Sequence, residues 1–223
     1  MKLLLISDIH GNADILDKLD EEFKVCDAVL FAGDFAEAFK NETAKPVLDK
    51  LSSKHENVFA VLGNCDEPDF IDAVDAADLN CERSIVYHEG LAICGSGGAS
   101  VFTGKTPNER TEEDLVSDFE ICKAESLENL ILISHNPPKD TVCDAVNENL
   151  HVGSQMLRDL ISEIKPLAVL TGHVHEGRGI DKISNTVIVN PGSLGEKGTY
   201  AVMEILKQKD SWVVSNTELK EVK

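Results

Sequence analysis

Several short apolar runs along this chain each end in carboxylate, amide or imidazole side chains, and this restricts the fold more than any other feature of the sequence. Residues 2–7 lead into Asp8-Ile9-His10, 28–32 into Gly33-Asp34, and 58–62 into Gly63-Asn64-Cys65-Asp66. Leu130–Ser134 leads into His135-Asn136, and 167–170 into Gly172-His173-Val174-His175. The runs read as buried strands. Longer amphipathic stretches separate them, an alternation that predicts an α/β fold.

The spacing of Ile15, Leu16, Leu19 and Phe23 predicts a helix over 12–24, with Asn12 as its cap. A second helix near 43–51 tolerates Pro46 only in its first turn. A hairpin is expected around Glu89-Gly90, between 85–87 and 91–94, which adds antiparallel neighbours to a parallel sheet. Further on, 152–164 reads as a helix, and Thr186–Asn190, 200–206 and 212–214 as closing strands. No stretch has linker composition, so residues 1–223 read as one domain. The one excursion is 95–111, rich in Gly, Ser and Thr and followed by an acidic amphipathic stretch; it is either a substrate-facing lip or surface decoration.

Composition removes several function classes. With 21 Lys+Arg against 40 Asp+Glu the formal charge is −19, which argues against non-specific binding to nucleic acid or to an anionic membrane. The apolar runs are far too short to span a bilayer. The N-terminus lacks the apolar stretch and cleavage site of a secretory signal, so a cytoplasmic protein is expected. The six cysteines, Cys26, Cys65, Cys81, Cys94, Cys122 and Cys143, form no C-x-x-C pair and read as reduced thiols, several of them buried.

In α/β sheets the carboxyl ends of strands face a common crevice, so the five polar clusters can converge although they span most of the chain. Taken singly, each has an ordinary explanation as a turn or a surface residue. Four of the seven histidines lie in these clusters, whereas His55, His88 and His151 sit in ordinary polar contexts; His151 either lines the site or serves as a cap or surface residue. Oxygen and imidazole donors without thiolate suit Mn²⁺, Fe²⁺ or Zn²⁺. Two Asp, one Asn and four His are too many donors for one ion, and fit two ions that share a carboxylate. Such a pair lowers the pKa of bound water and clamps the oxygens of an in-line displacement, chemistry suited to phosphoester hydrolysis.

The ordered blocks Asp8-Ile9-His10, Gly33-Asp34, Gly63-Asn64-Cys65-Asp66, His135 and Gly172-His173-Val174-His175 resemble the calcineurin-like metallophosphoesterases, small prokaryotic members in particular, as does the turn Asn190-Pro191-Gly192-Ser193. The resemblance implies a four-layer sandwich of two mixed β-sheets flanked by helices. It implies one metal held by Asp8, His10 and His175 and a second held by Asn64, His135 and His173, with Asp34 bridging. Mn²⁺ is the expected ion, with Fe²⁺, Zn²⁺ or Ni²⁺ as alternatives. The expected activity is hydrolysis of a small phosphomonoester or phosphodiester by a hydroxide bridging two metals; the alternative is a binding or scaffold module with a vestigial or structural metal site. All seven ligand positions are filled, which favours the enzyme. One position departs from the pattern: Cys65 stands where many members carry a His that contacts the phosphate or protonates the leaving group, and a neutral thiol is a poor substitute for an imidazolium.

Overall fold

Within the strand Lys2–Ile6, alternate side chains face opposite sides, and that alternation sorts the molecule into layers. The structure is a computed structural model that describes residues 1–102, 104–125, 127–209 and 211–222. Leu3 and Leu5 meet Ile93, Ile131, Ile133 and Leu170 in a core between two sheets, whereas Leu4 and Ile6 pack under Leu16, Leu19, Val47 and Leu51 of the flanking helices. A third core sets Cys94, Leu132, Val169 and Ile188 against Phe119, Leu157 and Ile161 on the far side of the second sheet. The layers therefore run helices, sheet, sheet, helices, as the family resemblance implies. Among the described residues no helix is long and apolar enough to cross a membrane.

The first sheet has the order Ser211–Glu221, Thr199–Gln208, Lys2–Ile6, Ala28–Phe31, Val58–Ala60, the last three parallel and the first two antiparallel. The second runs Gly179–Ile183, Thr186–Asn190, Ala168–Thr171, Leu130–Ser134, Leu91–Ser96, Val86–His88, with four parallel strands in its centre and an antiparallel strand at each edge. The parallel strands of both sheets direct their carboxyl ends toward one region, which positions the polar clusters.

Several elements differ from the sequence reading. The first predicted helix is a 3-10 segment, Ala13–Leu19, followed by a short α-helix, Asp20–Val25; Asn12 caps neither, because its amide donates instead to the Gly195 carbonyl at 2.8 Å. The helix expected over 152–164 starts only at Gln155, where the Ser154 hydroxyl accepts the Leu157 N–H at 3.0 Å. The excursion 95–111 is not slack: Leu91–Ser96 continues into it, and Ala99–Ser100 pairs with Glu109–Arg110. The Glu109 carboxylate accepts N–H bonds from Phe102, Gly104, Lys105 and Thr106. Thr103, within this excursion, lies outside the described residues.

A buried carboxyl supports one of the strand ends. Glu82 Oε1 accepts the Leu62 N–H at 2.6 Å, and burial outweighs that bond and pushes its pKa up to about 7 from 4.5. A raised folded-state pKa means that the folded protein keeps a proton the unfolded chain loses between pH 4.5 and 7. Stability from this group is therefore present below pH 4.5 and lost as pH rises through about 7, by at most roughly 3 kcal/mol. Glu82→Gln keeps the acceptor and removes the titration. Between pH 5 and 8 the native protein should lose about 2–3 kcal/mol of unfolding free energy relative to this variant; parallel denaturation curves at both pH values would exclude the effect.

Candidate metal centre

Two glycines permit the close approach of strand ends that builds the centre. Gly33, at φ +95°, abuts the backbone at Leu62 and Gly63, and a Cβ on Gly63 would collide with the Asp34 carboxylate. The loops are laced together as well: Asp8 N–H donates to Gly33 O at 3.0 Å, and the N–H groups of Ile9 and His10 share Asp34 O at 3.1 and 3.0 Å. Asp8, His10, Asp34 and His173 all have left-handed backbone, φ +48° to +66°, a conformation that costs a non-glycine residue roughly 1–2 kcal/mol. Such strain gathers where side chains must be aimed.

The seven residues singled out from the sequence come together as two groups. In one, His10 Nε2 lies 3.2 Å from His175 Nε2, which is 3.3 Å from Asp8 Oδ1. In the other, Asn64 Oδ1 lies 2.9 Å from His135 Nε2 and 2.6 Å from His173 Nδ1. Asp34 stands between them, its Oδ2 3.6 Å from His10 Nε2 and 3.5 Å from His135 Nε2, while its Oδ1 accepts the Cys65 N–H at 2.8 Å. The Cys65 thiol sits at the edge, within 4.8 Å of the ligand atoms of His10 and Asp34.

These donors fit divalent ions. His10 Nδ1 faces the Ala36 carbonyl at 3.3 Å and His135 Nδ1 the Ala32 carbonyl at 2.6 Å, and His175 Nδ1 faces Glu196 Oε2 at 3.2 Å. A carbonyl can only accept, so in His10 and His135 the hydrogen resides on Nδ1 and the Nε2 lone pair points inward. Lone pairs gathered around carboxylate oxygens repel unless a cation lies among them. Metal–nitrogen bonds of about 2.1 Å place neighbouring donors roughly 3.0–3.5 Å apart, the spacing of the first group at 3.2 and 3.3 Å, while the second group is drawn tighter, at 2.6 and 2.9 Å. Outer partners of this kind fix the orientation of ligating imidazoles.

Electrostatics divides the groups. Burial alone would raise Asp8, but the His175 hydrogen bond and the potential of His135, His175 and His10 outweigh it and hold Asp8 well below the usual carboxylate range. Burial and then the Asp8 charge push Asp34 up to about 6, and burial and the Asp34 charge do the same to Asp66. Burial, with His135 alongside, takes His173 down to about 4, and burial lowers His135 too. In His175 burial is overcome by Asp8 and Glu196, and its pKa rises to about 9. Burial and the Asp34 charge drive the Cys65 thiol far up, so it is neutral at any physiological pH. Divergent pKa values in one cleft mark a functional site.

Other supports were not evident from the sequence. Asp66 is fully buried and accepts four backbone N–H bonds, from Gly63 (2.7 Å), Asp34 (3.1 Å), Phe35 (3.2 Å) and Ala36 (2.7 Å), so one carboxylate ties together the loops that carry Asp34 and Asn64. Asn190 donates to Val174 O at 2.8 Å and braces the His173 turn. Ser193 donates to Asp8 O at 2.9 Å. The S-x-x-E spacing of Ser193 and Glu196 signals a helix start, and the Ser193 hydroxyl indeed accepts the Glu196 N–H, but nothing in that spacing aims the Glu196 carboxylate at His175. His151 pairs with buried Asp144 at 2.7 Å, a residue outside the seven.

Residues 1–208 match the model of the calcineurin-like phosphoesterase superfamily domain. An uncharacterised protein of Methanocaldococcus jannaschii, MJ1162, is 36% identical over 196 residues, which cover 86% of this chain and 88% of that one. The crystal structure of TT1561 from Thermus thermophilus superposes with a TM-score of 0.76 at 18% identity, over 100% of this chain and 99% of the other. The calcineurin-like phosphoesterase YfkN from Bacillus subtilis gives a TM-score of 0.60 at 14% identity, over 100% of this chain and 90% of that one. At such identities the two crystal structures speak for the fold.

Proposed function

The chain belongs to the calcineurin-like phosphoesterase superfamily, and from that premise we propose that it hydrolyses small phosphoesters with two divalent ions held at the converged strand ends. Asp8, His10 and His175 hold one ion, Asn64, His135 and His173 the other, and Asp34 is shared. The placement of Asp34 Oδ2 between the two groups, 3.6 Å from His10 and 3.5 Å from His135, carries this reading. Two such ions, when bound, supply water of lowered pKa and neutralise charge developing on phosphorus.

The protein's own part is to keep the donors ready and in place. Asp8 stays ionised at neutral pH, while burial keeps His135 and His173 neutral with lone pairs available. The Ala32 and Ala36 carbonyls hold His135 and His10 in the tautomer that points Nε2 inward. Cys65 contributes no acid of useful strength, so the leaving group departs without the roughly 10²–10⁴-fold help of a general acid at that position. Aryl esters should therefore react much faster than alkyl esters. The complete donor set argues against a scaffold with a decayed site.

The test is to strip the protein with chelator, reload it with Mn²⁺, and assay aryl and alkyl phosphomonoesters and phosphodiesters while counting bound ions. Hydrolysis that is lost with chelator and returns with two ions per chain is expected, with a steep dependence on leaving-group acidity. Protein that binds two ions of Mn²⁺, Fe²⁺, Zn²⁺ or Ni²⁺ and cleaves no ester would overturn the proposal.

A further inference from the structure

A cavity of about 250 Å³ opens beside the second group of donors and shares His173 with it. Its walls are apolar: Val101 and Phe102 from the excursion, Val146, Leu150 and Val152 from the segment around the Ala145–Asn147 and Leu150–His151 ribbon, and Val174 beside His173. Phe102 is 76% exposed, Val101 62% and Leu150 44%, so three large apolar side chains from two separate segments meet solvent around one hollow. Scattered exposed apolar residues need no explanation, but a contiguous group lining a concavity marks a binding surface.

The wall is held in place. The Phe102 N–H is bound by the Glu109 carboxylate at 2.9 Å, and the Ser100 N–H by Asn136 Oδ1 at 3.0 Å. From this geometry, and resting on the phosphoesterase reading above, we propose that the cavity is a subsite for an uncharged apolar ring on the substrate's organic group, with the phosphate seated at the neighbouring centre.

Polarity and size select that occupant. Among the described residues no Lys or Arg lines the hollow and Glu176 does, so a second phosphate or another anionic tail is disfavoured. A sugar would set hydroxyls against Val and Leu with few partners, a costly burial. Asn136 is engaged on both sides of its amide, since its Nδ2 donates to Pro137 O at 3.2 Å. The Ser100 hydroxyl is buried without a partner among the described residues and is free for one hydrogen bond to the ligand. An apolar cavity of about 150 Å³ accepts benzene, so this one has room for one ring and its linker.

Methyl-, benzyl- and naphthylmethylphosphonate carry the same charged head and differ only in the apolar arm. Titrated calorimetrically into Mn²⁺-loaded protein, benzylphosphonate should bind at least roughly tenfold more tightly than methylphosphonate. Phe102→Ala combined with Leu150→Ala should bring benzyl to the level of methyl while the protein keeps two ions per chain. Equal affinities for the three probes, a preference undiminished in the double variant, or no binding of any probe would overturn the subsite.

Hydrolysis of methyl and benzyl phosphate, whose alcohols have nearly equal acidity, separates the two proposals. Preferential benzylphosphonate binding by protein that cleaves none of the aryl and alkyl phosphomonoesters and phosphodiesters assayed above keeps the subsite and sinks the catalytic reading. Hydrolysis of both at equal kcat/KM, with equal phosphonate binding, does the reverse.

Discussion

Asp34→Asn is expected to empty both metal positions together and to lower hydrolysis on the order of a thousandfold, more than the roughly 10–100-fold that follows loss of an outer partner. The two Asp34 oxygens point to different partners. Oδ2 faces both groups of donors, at 3.6 Å from His10 and 3.5 Å from His135, and an amide offers no second anionic oxygen there. Oδ1 accepts the Cys65 N–H at 2.8 Å, a bond that the Asn carbonyl can keep, so the fold should survive. Elemental analysis of the purified variant, with its circular dichroism spectrum, decides the matter. Two ions per chain with near-native activity would mean that Asp34 is not shared.

Asp66→Ala should have the largest effect on stability of any single change near the centre, although Asp66 is not among the proposed ligands. The substitution leaves four buried N–H groups, of Gly63, Asp34, Phe35 and Ala36, without their acceptor. Each such loss costs about 1–3 kcal/mol. The Asp66 pKa is raised by burial and by the Asp34 charge, so removing Asp66 also ends that repulsion and offsets part of the loss. The lost acceptor dominates, since one neighbour is relieved while four donors are stranded. A net loss of about 3–5 kcal/mol is expected, a fall in Tm of roughly 10 °C for a chain of this length. Metal affinity should fall with it, because the loops bearing Asp34 and Asn64 are no longer tied. A Tm within about 2 °C of native would show that water or relaxed backbone replaces the carboxylate.

The strand ends were legible because each combines two signals, an apolar run and a chemically distinctive residue after it. Leu130–Ser134 before His135 is the clearest case, and the structure places it as read. The layers were not legible in the residues themselves, since a run such as Leu3, Leu4, Leu5 and Ile6 is apolar on both faces and shows only a buried strand; the two-sheet sandwich followed from the family resemblance. What escaped depends on contacts distant in sequence. Glu196 meets His175 only because a turn carries it back 21 residues, and Asn12 forgoes its capping role for a carbonyl 183 residues away. Local spacing also cannot distinguish a 3-10 turn from an α-turn at Ala13–Leu19, where the same apolar residues face the core either way. The pairing of Ala99–Ser100 with Glu109–Arg110 was hidden because strands of two residues leave no periodicity to read.

The late pairing of the first strand bears on how the protein is made. Lys2 lies opposite Glu204, and the backbone at Ser7 and Asp8 is closed by N–H groups of Leu194 and Gly195. A ribosome adding about 5–20 residues per second therefore leaves one edge of the Lys2–Ile6 strand without its native neighbour for roughly 10–40 s. An apolar strand with an open edge is a site for mispairing with other nascent chains, so the interval favours guarding by a chaperone. His10 waits somewhat less for His175, 165 residues downstream. An ion held as proposed by Asp8, His10 and His175 would therefore be captured as folding closes rather than as its nucleus, because the emerging chain offers an incomplete set of donors.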